Sequence, residues 1–157
     1  MLLQPGKAPR RVTNVRDDKI LTSRFWKPSF EARRCLEPAS SYCEPDSGKP
    51  PNGIGLLSTA TTTGGCSRSL ASGSAGGAKK NGPNVELDVY SFMTTAPNAL
   101  TDSINHERMP VLLTEEADFE TWLLGSPAEA FTLARSFDPA RMRIVQSGFE
   151  KKDLLAA

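Results

Sequence analysis

The residues best suited to chemistry lie in three separate parts of the chain. The single histidine, His106, stands in Asn105-His-Glu-Arg-Met-Pro, between a predicted helix and an apolar strand. Connections of this kind often carry functional residues. An isolated histidine is more often structural, so its position alone does not establish catalysis. Glu44 ends the strand-like run Ser-Tyr-Cys-Glu, where a solvated acid is the ordinary interpretation.

Asn14 and Arg16 form the third candidate. They flank Val15 in Thr-Asn-Val-Arg, and the alternation of an extended segment puts both side chains on one face. An amide and a guanidinium on one face can hold a phosphate or a sugar oxygen. Taken alone, the pair is equally typical of an ordinary polar surface.

The common motifs of cofactor and metal chemistry are absent from the sequence. It contains no phosphate-binding glycine loop, no nucleophile elbow and no zinc-ligand spacing. The cysteines are odd in number and not spaced as metal ligands (Cys35, Cys43 and Cys66). We therefore expect no metal, no cofactor and a reducing, cytoplasmic environment.

The elements that must position these residues are clearest in the second half of the chain. Apolar and polar residues alternate over 85–94, which predicts a strand with two partly buried faces. A short helix is predicted within 95–104, and Val111-Leu112-Leu113 reads as a strand. A helix is then expected to bury Phe119, Trp122 and Leu123.

Ser126-Pro-Ala-Glu129 has the residues of a capping box with proline at the first helical position. Met142-Arg-Ile-Val predicts a closing strand. Strands dispersed among short helices favour an α+β fold.

The first third of the chain is basic and less regular. Aromatic residues in 24–34 have a loose helical spacing that Pro28 is expected to break. Arg34-Cys-Leu-Glu-Pro and Ser-Tyr-Cys-Glu predict two short strands joined by a turn.

Length, composition and net charge exclude several classes of protein. The chain has 157 residues, a net charge of +1 and 38% hydrophobic residues, which is enough for one domain with a modest core. The near-zero net charge excludes a histone-like basic protein and an acidic tail. No apolar run approaches the ~20 residues of a membrane span, so we expect no membrane association.

The segment 52–83 is unlike the rest. Within 58–78, 18 of 21 residues are Gly, Ser, Thr or Ala, and such a stretch buries too little apolar surface to offset the entropy of ordering it. The segment is therefore predicted to be an irregular, disordered, low-complexity insert within one domain over 1–157. Loops of this length are uncommon inside compact domains.

Together, these pieces resemble the SOS response-associated peptidase (SRAP) family, whose members include proteins that shield abasic sites in single-stranded DNA. The resemblance covers about 10–50 and 84–153. The motifs that carry it occur in this order: Thr13-Asn-Val-Arg16, Arg34-Cys-Leu-Glu-Pro-Ala-Ser-Ser-Tyr-Cys-Glu44, Phe92-Met-Thr-Thr-Ala-Pro-Asn-Ala-Leu100, Ile104-Asn-His-Glu-Arg-Met-Pro-Val111 and Trp122-Leu. It implies a mixed, mostly antiparallel sheet or open barrel with short flanking helices, incomplete here.

The resemblance also implies a chemistry. In the family, an N-terminal cysteine at position 2 uses its amine and thiol to form a thiazolidine with the opened abasic sugar, and the same cysteine is proposed to cut a propeptide in some members. By resemblance, Asn14 positions the sugar and the nucleophile, and Arg16 binds phosphate. Glu44 handles protons near the amine, His106 is the general acid and base that opens the sugar, and Arg108 is a further DNA contact. The implied partner is single-stranded DNA with abasic sites, bound by a monomer that needs no cofactor.

The sequence departs from the family pattern in two places. Position 2 is Leu2, not Cys, and the family's opening strands are missing. We interpret the chain as a fragment or as a reading frame with the wrong start, and we expect it to be inactive as written.

The family's apolar middle strand is also missing, and the Gly/Ser/Thr segment occupies its place. Codons can be chosen for residues 66–73 so that a shifted reading frame, starting at the third base of the codon before Cys66, encodes Leu-Phe-Ala-Phe-Ala-Gly-Ile-Trp. This resembles the missing strand, so a compensated frameshift is one interpretation and a genuine linker is the other.

Two classes of function remain open on this basis. The first is a family enzyme, of hydrolase or lyase type, that crosslinks abasic DNA. The second is a catalytically dead remnant, or a non-enzymatic module that binds single-stranded DNA. A cysteine at the mature N-terminus distinguishes them.

Overall fold

The computed structural model describes residues 14–45, 53–72, 85–104 and 107–146. These residues form one open mixed sheet, and short helices pack against it. The strands are β1 (Asn14–Arg16), β2 (Arg34–Pro45), β3 (Gly53–Ser72), β4 (Val85–Thr95), β5 (Met109–Pro110), β6 (Leu112–Leu113) and β7 (Arg143–Gln146). The helices are α1 (Asp17–Ile20), α2 (Lys27–Ala32), α3 (Ala99–Ser103), α4 (Glu116–Leu124) and α5 (Pro127–Thr132), with a 3-10 turn at Pro139–Arg141. The predicted α+β class is confirmed.

The sheet is mixed because its first strand runs against the general pattern. Its main order is β1-β4-β3-β2, with β5 on β4 and both β6 and β7 on β3. β1 is parallel to β4, and every other pairing is antiparallel. In the β1–β4 pair, Asn14 lies opposite Phe92 and Arg16 opposite Thr94. This register fixes where the first candidate residues stand on the sheet.

The core lies on one face of this sheet, between the sheet and the helices. Val15 of β1 and Met93 of β4 are buried there with Phe30 of α2 and Trp122 of α4. The rings of Phe30 and Trp122 meet edge to face, with centroids 5.9 Å apart. Within α4 only Trp122 is fully buried, and the expected burial of Leu123 is wrong, because that side chain remains 43% exposed.

The segment 52–83 differs most from expectation. Gly53–Ser72 forms a regular strand that pairs with β2 along one side and with β4, β6 and β7 along the other. The irregular backbone predicted there is therefore wrong over these residues. Strand pairing satisfies backbone N–H and C=O groups whatever the side chains are, and threonine favours extended backbone. Residues 73–83 lie outside the described part, and the assignment of 1–157 to one domain stays a prediction.

Two smaller corrections concern the basic third of the chain. Pro28 does not break a helix but lies in the first turn of α2, where its missing N–H costs no hydrogen bond. The two short strands expected over 34–44 are one continuous strand, β2, whose pairing with β3 shifts register between Ala39 and Ser41. An irregularity of this kind replaces the expected turn.

The sequence-based capping box at the start of α5 is confirmed. The Glu129 backbone N–H donates to Ser126 Oγ at 3.3 Å, and the Ser126 N–H donates to Glu129 Oε2 at 2.8 Å. The hydrogen bonds from the Ser126 side chain and backbone lower the pKa of Glu129.

Ser126→Ala should therefore destabilise the protein by about 1 kcal/mol, the usual cost of removing a serine cap. A carboxylate whose pKa is lowered by folding contributes stability above its ordinary pKa of 4.5, and this contribution is lost as the pH falls through the lower folded pKa. The difference in Tm between the two proteins should accordingly be largest above pH 4.5 and shrink below it. Thermal unfolding from pH 7 to pH 3 measures this, and a constant difference would contradict the proposed link.

Candidate nucleic-acid interface

The first two candidate residues stand side by side on the face of β1 that points away from the core. Asn14 and Arg16 are exposed, and Val15 between them is only 2% exposed. The alternation predicted for this segment is confirmed. Because β1 is held against Phe92–Thr94 of β4, the amide and the guanidinium are presented from a fixed edge of the sheet.

The Arg16 guanidinium is aligned by a neighbouring carboxylate. Its Nε and Nη2 donate to the two oxygens of Asp18, each at 2.9 Å. These bonds raise the pKa of Arg16 and lower the pKa of Asp18. The two side chains remain 52% and 43% exposed, so this is a surface ion pair that an incoming phosphate can reach.

Arg108 has a different environment. Its Nη2 donates to Asp17 Oδ1 and to the Thr94 carbonyl oxygen, and the Arg108 and Asp17 side chains are 19% and 17% exposed. The second oxygen of Asp17 accepts a hydrogen bond from Thr95 Oγ1 at 2.7 Å. Arg108 is thus joined both to the start of α1 and to the end of β4.

A second contact joins the end of α3 to β2. Tyr42 Oη lies 3.3 Å from Thr101 Oγ1, and Tyr42 also packs against Ile104, which is 8% exposed. Tyr42 precedes Glu44 by two residues on β2, so alternation assigns the two positions to the same face of the strand.

The side chains of two candidate residues, Glu44 and His106, lie outside the described part of the structure. The structure describes the backbone at Glu44, which lies opposite Ile54 on β3, and His106 lies outside the described residues. In the sequence, His106 stands between Ile104, which contacts Tyr42 of β2, and Arg108, which is bonded to Asp17. Ile104 and Arg108 are four residues apart, so their Cα atoms are separated by at most ~14 Å.

Sequence reasoning missed one residue of this region, Asp17. Its acidic side chain follows Arg16 directly, which favours an exposed acid at a helix start. The pairing with Arg108 links residues 91 apart in the chain, and local sequence patterns do not predict such a contact.

A polar recess of about 300 Å³ lies elsewhere, at the start of α4. Arg141 Nη2 donates there to Glu115 Oε1 at 3.1 Å and to Thr114 Oγ1 at 3.0 Å. The hydrogen bond from Thr114, followed by that from Arg141, lowers the pKa of Glu115. Among the candidate residues with described side chains, Asn14, Arg16 and Arg108 do not line this recess.

Some kinds of site are not seen in the described part of the chain. The residues that the structure describes contain no group of three or more His, Cys, Asp or Glu side chains arranged to hold a metal ion. None of the described helices has the length and apolar character needed to span a bilayer.

The resemblance implied a mixed, mostly antiparallel sheet or open barrel, and the structure has an open mixed sheet whose first strand exposes Asn14 and Arg16. The family model for SOS response associated peptidase (SRAP) matches residues 3–148. The chain belongs to this family.

The fold has a close parallel among solved structures. A crystal structure of a protein from Bacteroides thetaiotaomicron is similar to this chain, with a TM-score of 0.68 and 26% sequence identity. The match covers 83% of this chain and 56% of the other, so the chain spans little more than half the length of that protein. The comparison with curated proteins gave no match.

The name of the family refers to the SOS response and to peptidase activity.

Proposed function

We propose that this chain binds single-stranded DNA at abasic sites, through a site to which Asn14, Arg16, Glu44 and His106 contribute. The observation that carries the proposal is the pair of contacts made by Ile104 and Arg108, the described residues that flank His106 in the sequence. Ile104 contacts the strand that bears Glu44, and Arg108 bonds to the residue that follows Arg16. These contacts join distant parts of the chain, and the four candidate residues are of the types that DNA chemistry uses.

The exposed residues of β1 suit the DNA backbone. A guanidinium forms strong, charge-assisted hydrogen bonds to phosphate oxygens, and Arg16 is more than half exposed. Asn14 can donate to a sugar or phosphate oxygen from the same face. Contacts of this kind position a nucleic acid without reading its sequence, so they are available at an abasic position as well.

His106 and Glu44 are proposed to move protons. Opening an abasic sugar to its aldehyde requires a proton at the ring oxygen and the removal of one from the hydroxyl, and an imidazole can do both near neutral pH. Glu44 would accept a proton from an attacking amine. Condensation of that amine with the aldehyde releases one water, and addition of a thiol to the resulting imine closes the thiazolidine ring.

The covalent step itself needs an amine and a thiol on one residue. Position 2 of this chain is Leu2, and Cys35, Cys43 and Cys66 lie within the chain. Non-covalent binding is the part of this activity that the exposed Asn14 and Arg16 side chains can support. The second candidate function is a module that binds single-stranded DNA without catalysis, and the exposure of these two side chains favours it as well.

A binding experiment tests the proposal. A fluorescent single-stranded oligonucleotide with one abasic site should bind more tightly than the matching duplex, and Arg16→Gln should weaken binding about tenfold at 0.1 M salt, since one charge-assisted contact is lost. Fluorescence anisotropy gives both affinities. A denaturing gel of the same mixtures should show no covalent product.

Arg141→Gln is the matched control. Arg141 is 48% exposed and is also paired with a carboxylate, but it belongs to the recess at the start of α4. Its loss should leave DNA affinity unchanged. If the wild-type chain does not bind single-stranded DNA, or if both arginine variants bind equally well, the proposed site is wrong. A covalent product from this chain would show that the chemistry does not need a cysteine at position 2.

A further inference from the structure

Two aromatic rings lie on the outer face of β4, the face turned away from the core. Ser91 and Met93 are buried, at 2% and 0% exposure, so the alternation of the strand places Tyr90 and Phe92 on the opposite face. Tyr90 is 53% exposed, and its ring meets the Phe92 ring edge to face, with centroids 5.5 Å apart. Neither residue is among the candidate site residues predicted from the sequence.

This aromatic pair is next to the polar residues of β1. Phe92 is in register with Asn14 across the parallel β1–β4 pairing, and adjacent strands are only ~4.8 Å apart. Asn14 and Arg16 are exposed, and the buried Val15 between them belongs to the same core as Met93. The amide, the guanidinium and the two rings therefore share one face of the sheet.

The strand on the other side of β4 leaves this face open. On β3, Gly65 is in register with Phe92, and Ser67 is in register with Tyr90. Glycine has no side chain and serine has a short one, so neither residue is large enough to cover an aromatic ring. The small residues of β3 thus border the aromatic pair without enclosing it.

We propose that Tyr90 is a base-stacking residue, on whose ring an unpaired nucleobase near the abasic site lies. This inference rests on the proposed function and adds a residue to it. Proteins that bind single strands without sequence preference combine positive charge along the backbone with aromatic side chains, because every base has a flat π-face. Arg16 and Tyr90 supply these two elements on one face of the sheet.

The size of the aromatic pair favours a nucleobase over a protein partner. An aromatic side chain buries ~150–250 Å², so the two rings together offer well under the ~800 Å² that each partner buries in a stable protein interface. A single flat base needs only one ring. Because a base inside a duplex is already stacked on both sides, Tyr90 can serve only an unpaired strand.

Substitution of Tyr90 tests the stacking role. Tyr90→Ala should weaken binding of the abasic single strand about 5-fold to 150-fold, the range for loss of one base–aromatic stack. Tyr90→Phe should bind like the wild type because the ring remains. Tyr90→Leu keeps an apolar side chain without a ring, and it should bind like Tyr90→Ala. Fluorescence anisotropy at one fixed salt concentration measures these affinities.

Leu124→Ala is the matched control for loss of an exposed apolar side chain. Leu124 is 83% exposed and belongs to α4, in the helix layer on the core side of the sheet. Its substitution should leave DNA affinity unchanged. The dependence of log affinity on log salt concentration should be the same in Tyr90→Ala and the wild type, because stacking releases no counterions.

Oligonucleotides that lack a second base identify the stacked base. One neighbour of the abasic site is removed at a time, and wild-type binding should weaken most at one position. On that oligonucleotide Tyr90→Ala should cause no further loss, because the ring and its base form one interacting pair. A merely structural role of Tyr90 would weaken the variant equally on every oligonucleotide and would overturn the inference.

Three further results would count against the stacking role. Wild-type affinity in Tyr90→Ala would remove it while leaving the proposed function intact. Wild-type affinity in Tyr90→Leu would mean that an apolar contact without a ring is enough, and this variant also decides the question if Tyr90→Ala does not fold. If the wild-type chain itself does not bind single-stranded DNA, the proposed function fails and the stacking role fails with it.

Discussion

Trp122→Ala should lower the free energy of unfolding by about 3–5 kcal/mol, the range found for removal of a buried large aromatic side chain. Trp122 is fully buried and is the largest such side chain among the described residues. Its ring packs against Phe30, and its Nε1 donates to the carbonyl oxygen of Cys35 at 3.0 Å. The substitution therefore leaves a cavity and removes the partner of a backbone carbonyl.

Urea denaturation followed by circular dichroism measures this change. Leu124→Ala is the control on the same helix, because Leu124 is 83% exposed, and it should alter stability by no more than about 0.5 kcal/mol. Trp122→Phe should fall between the two and serves if the alanine variant does not fold. Equal stability of Trp122→Ala and wild type would mean that Trp122 does not lie at the centre of the core.

Arg34→Met should be the second most damaging change, at about 2–3 kcal/mol. The Arg34 guanidinium donates to the carbonyl oxygens of Trp122 and Gly125 at the end of α4, and to that of Phe30 in α2 at 2.8 Å. It also lies 5.6 Å from the centroid of the Phe30 ring. Methionine fills a similar volume but donates nothing, so helix-terminal carbonyls lose their charged donor.

Arg34→Lys should recover only part of this stability, because an ammonium group cannot reach three separated carbonyls as a planar guanidinium does. Lys27→Met is the control in the adjoining helix. Lys27 pairs with Glu31 at 3.7 Å on the surface, and its loss should cost a few tenths of a kcal/mol, ~0.3–0.5. A full recovery in Arg34→Lys would show that charge alone, rather than the three carbonyl contacts, is what matters.

Both residues bear on the candidate site through β2. Arg34 begins that strand, and Trp122 bonds to its second residue, Cys35. Further along the same strand, Tyr42 contacts Thr101 and Ile104, beside the position of Glu44. The helix layer thus holds the strand on which one side of the site depends.

Local sequence patterns predicted those strands and helices whose own residues show the expected alternation or capping motif. The alternation over 85–94 gave β4, and Ser126 with Glu129 gave the start of α5. The extended segment at Asn14–Arg16 was predicted for the same reason, since its buried residue lies between two polar ones. The family motifs then predicted the open mixed sheet.

The features that were missed depend on contacts rather than on composition. β3 has no alternating apolar pattern, and it is ordered by backbone pairing on both sides. The ion pair of Asp17 with Arg108 and the contacts of Arg34 with α4 join residues about 90 apart. A single sequence contains no signal for partners at such a distance.

The central position of β3 has a consequence for how the chain folds. β3 pairs with β2 before it, and with β4, β6 and β7 after it, so its partners run from Arg34 to Gln146. Pairings between distant parts of a chain form slowly, because loop closure must come first. During synthesis, β2 and β3 can form a hairpin early, but on the far side of β3 the residues Gly55–Leu57 stay unpaired until β7 leaves the ribosome. Until then the nascent chain has an open strand edge at the start of β3, the kind of edge through which chains aggregate.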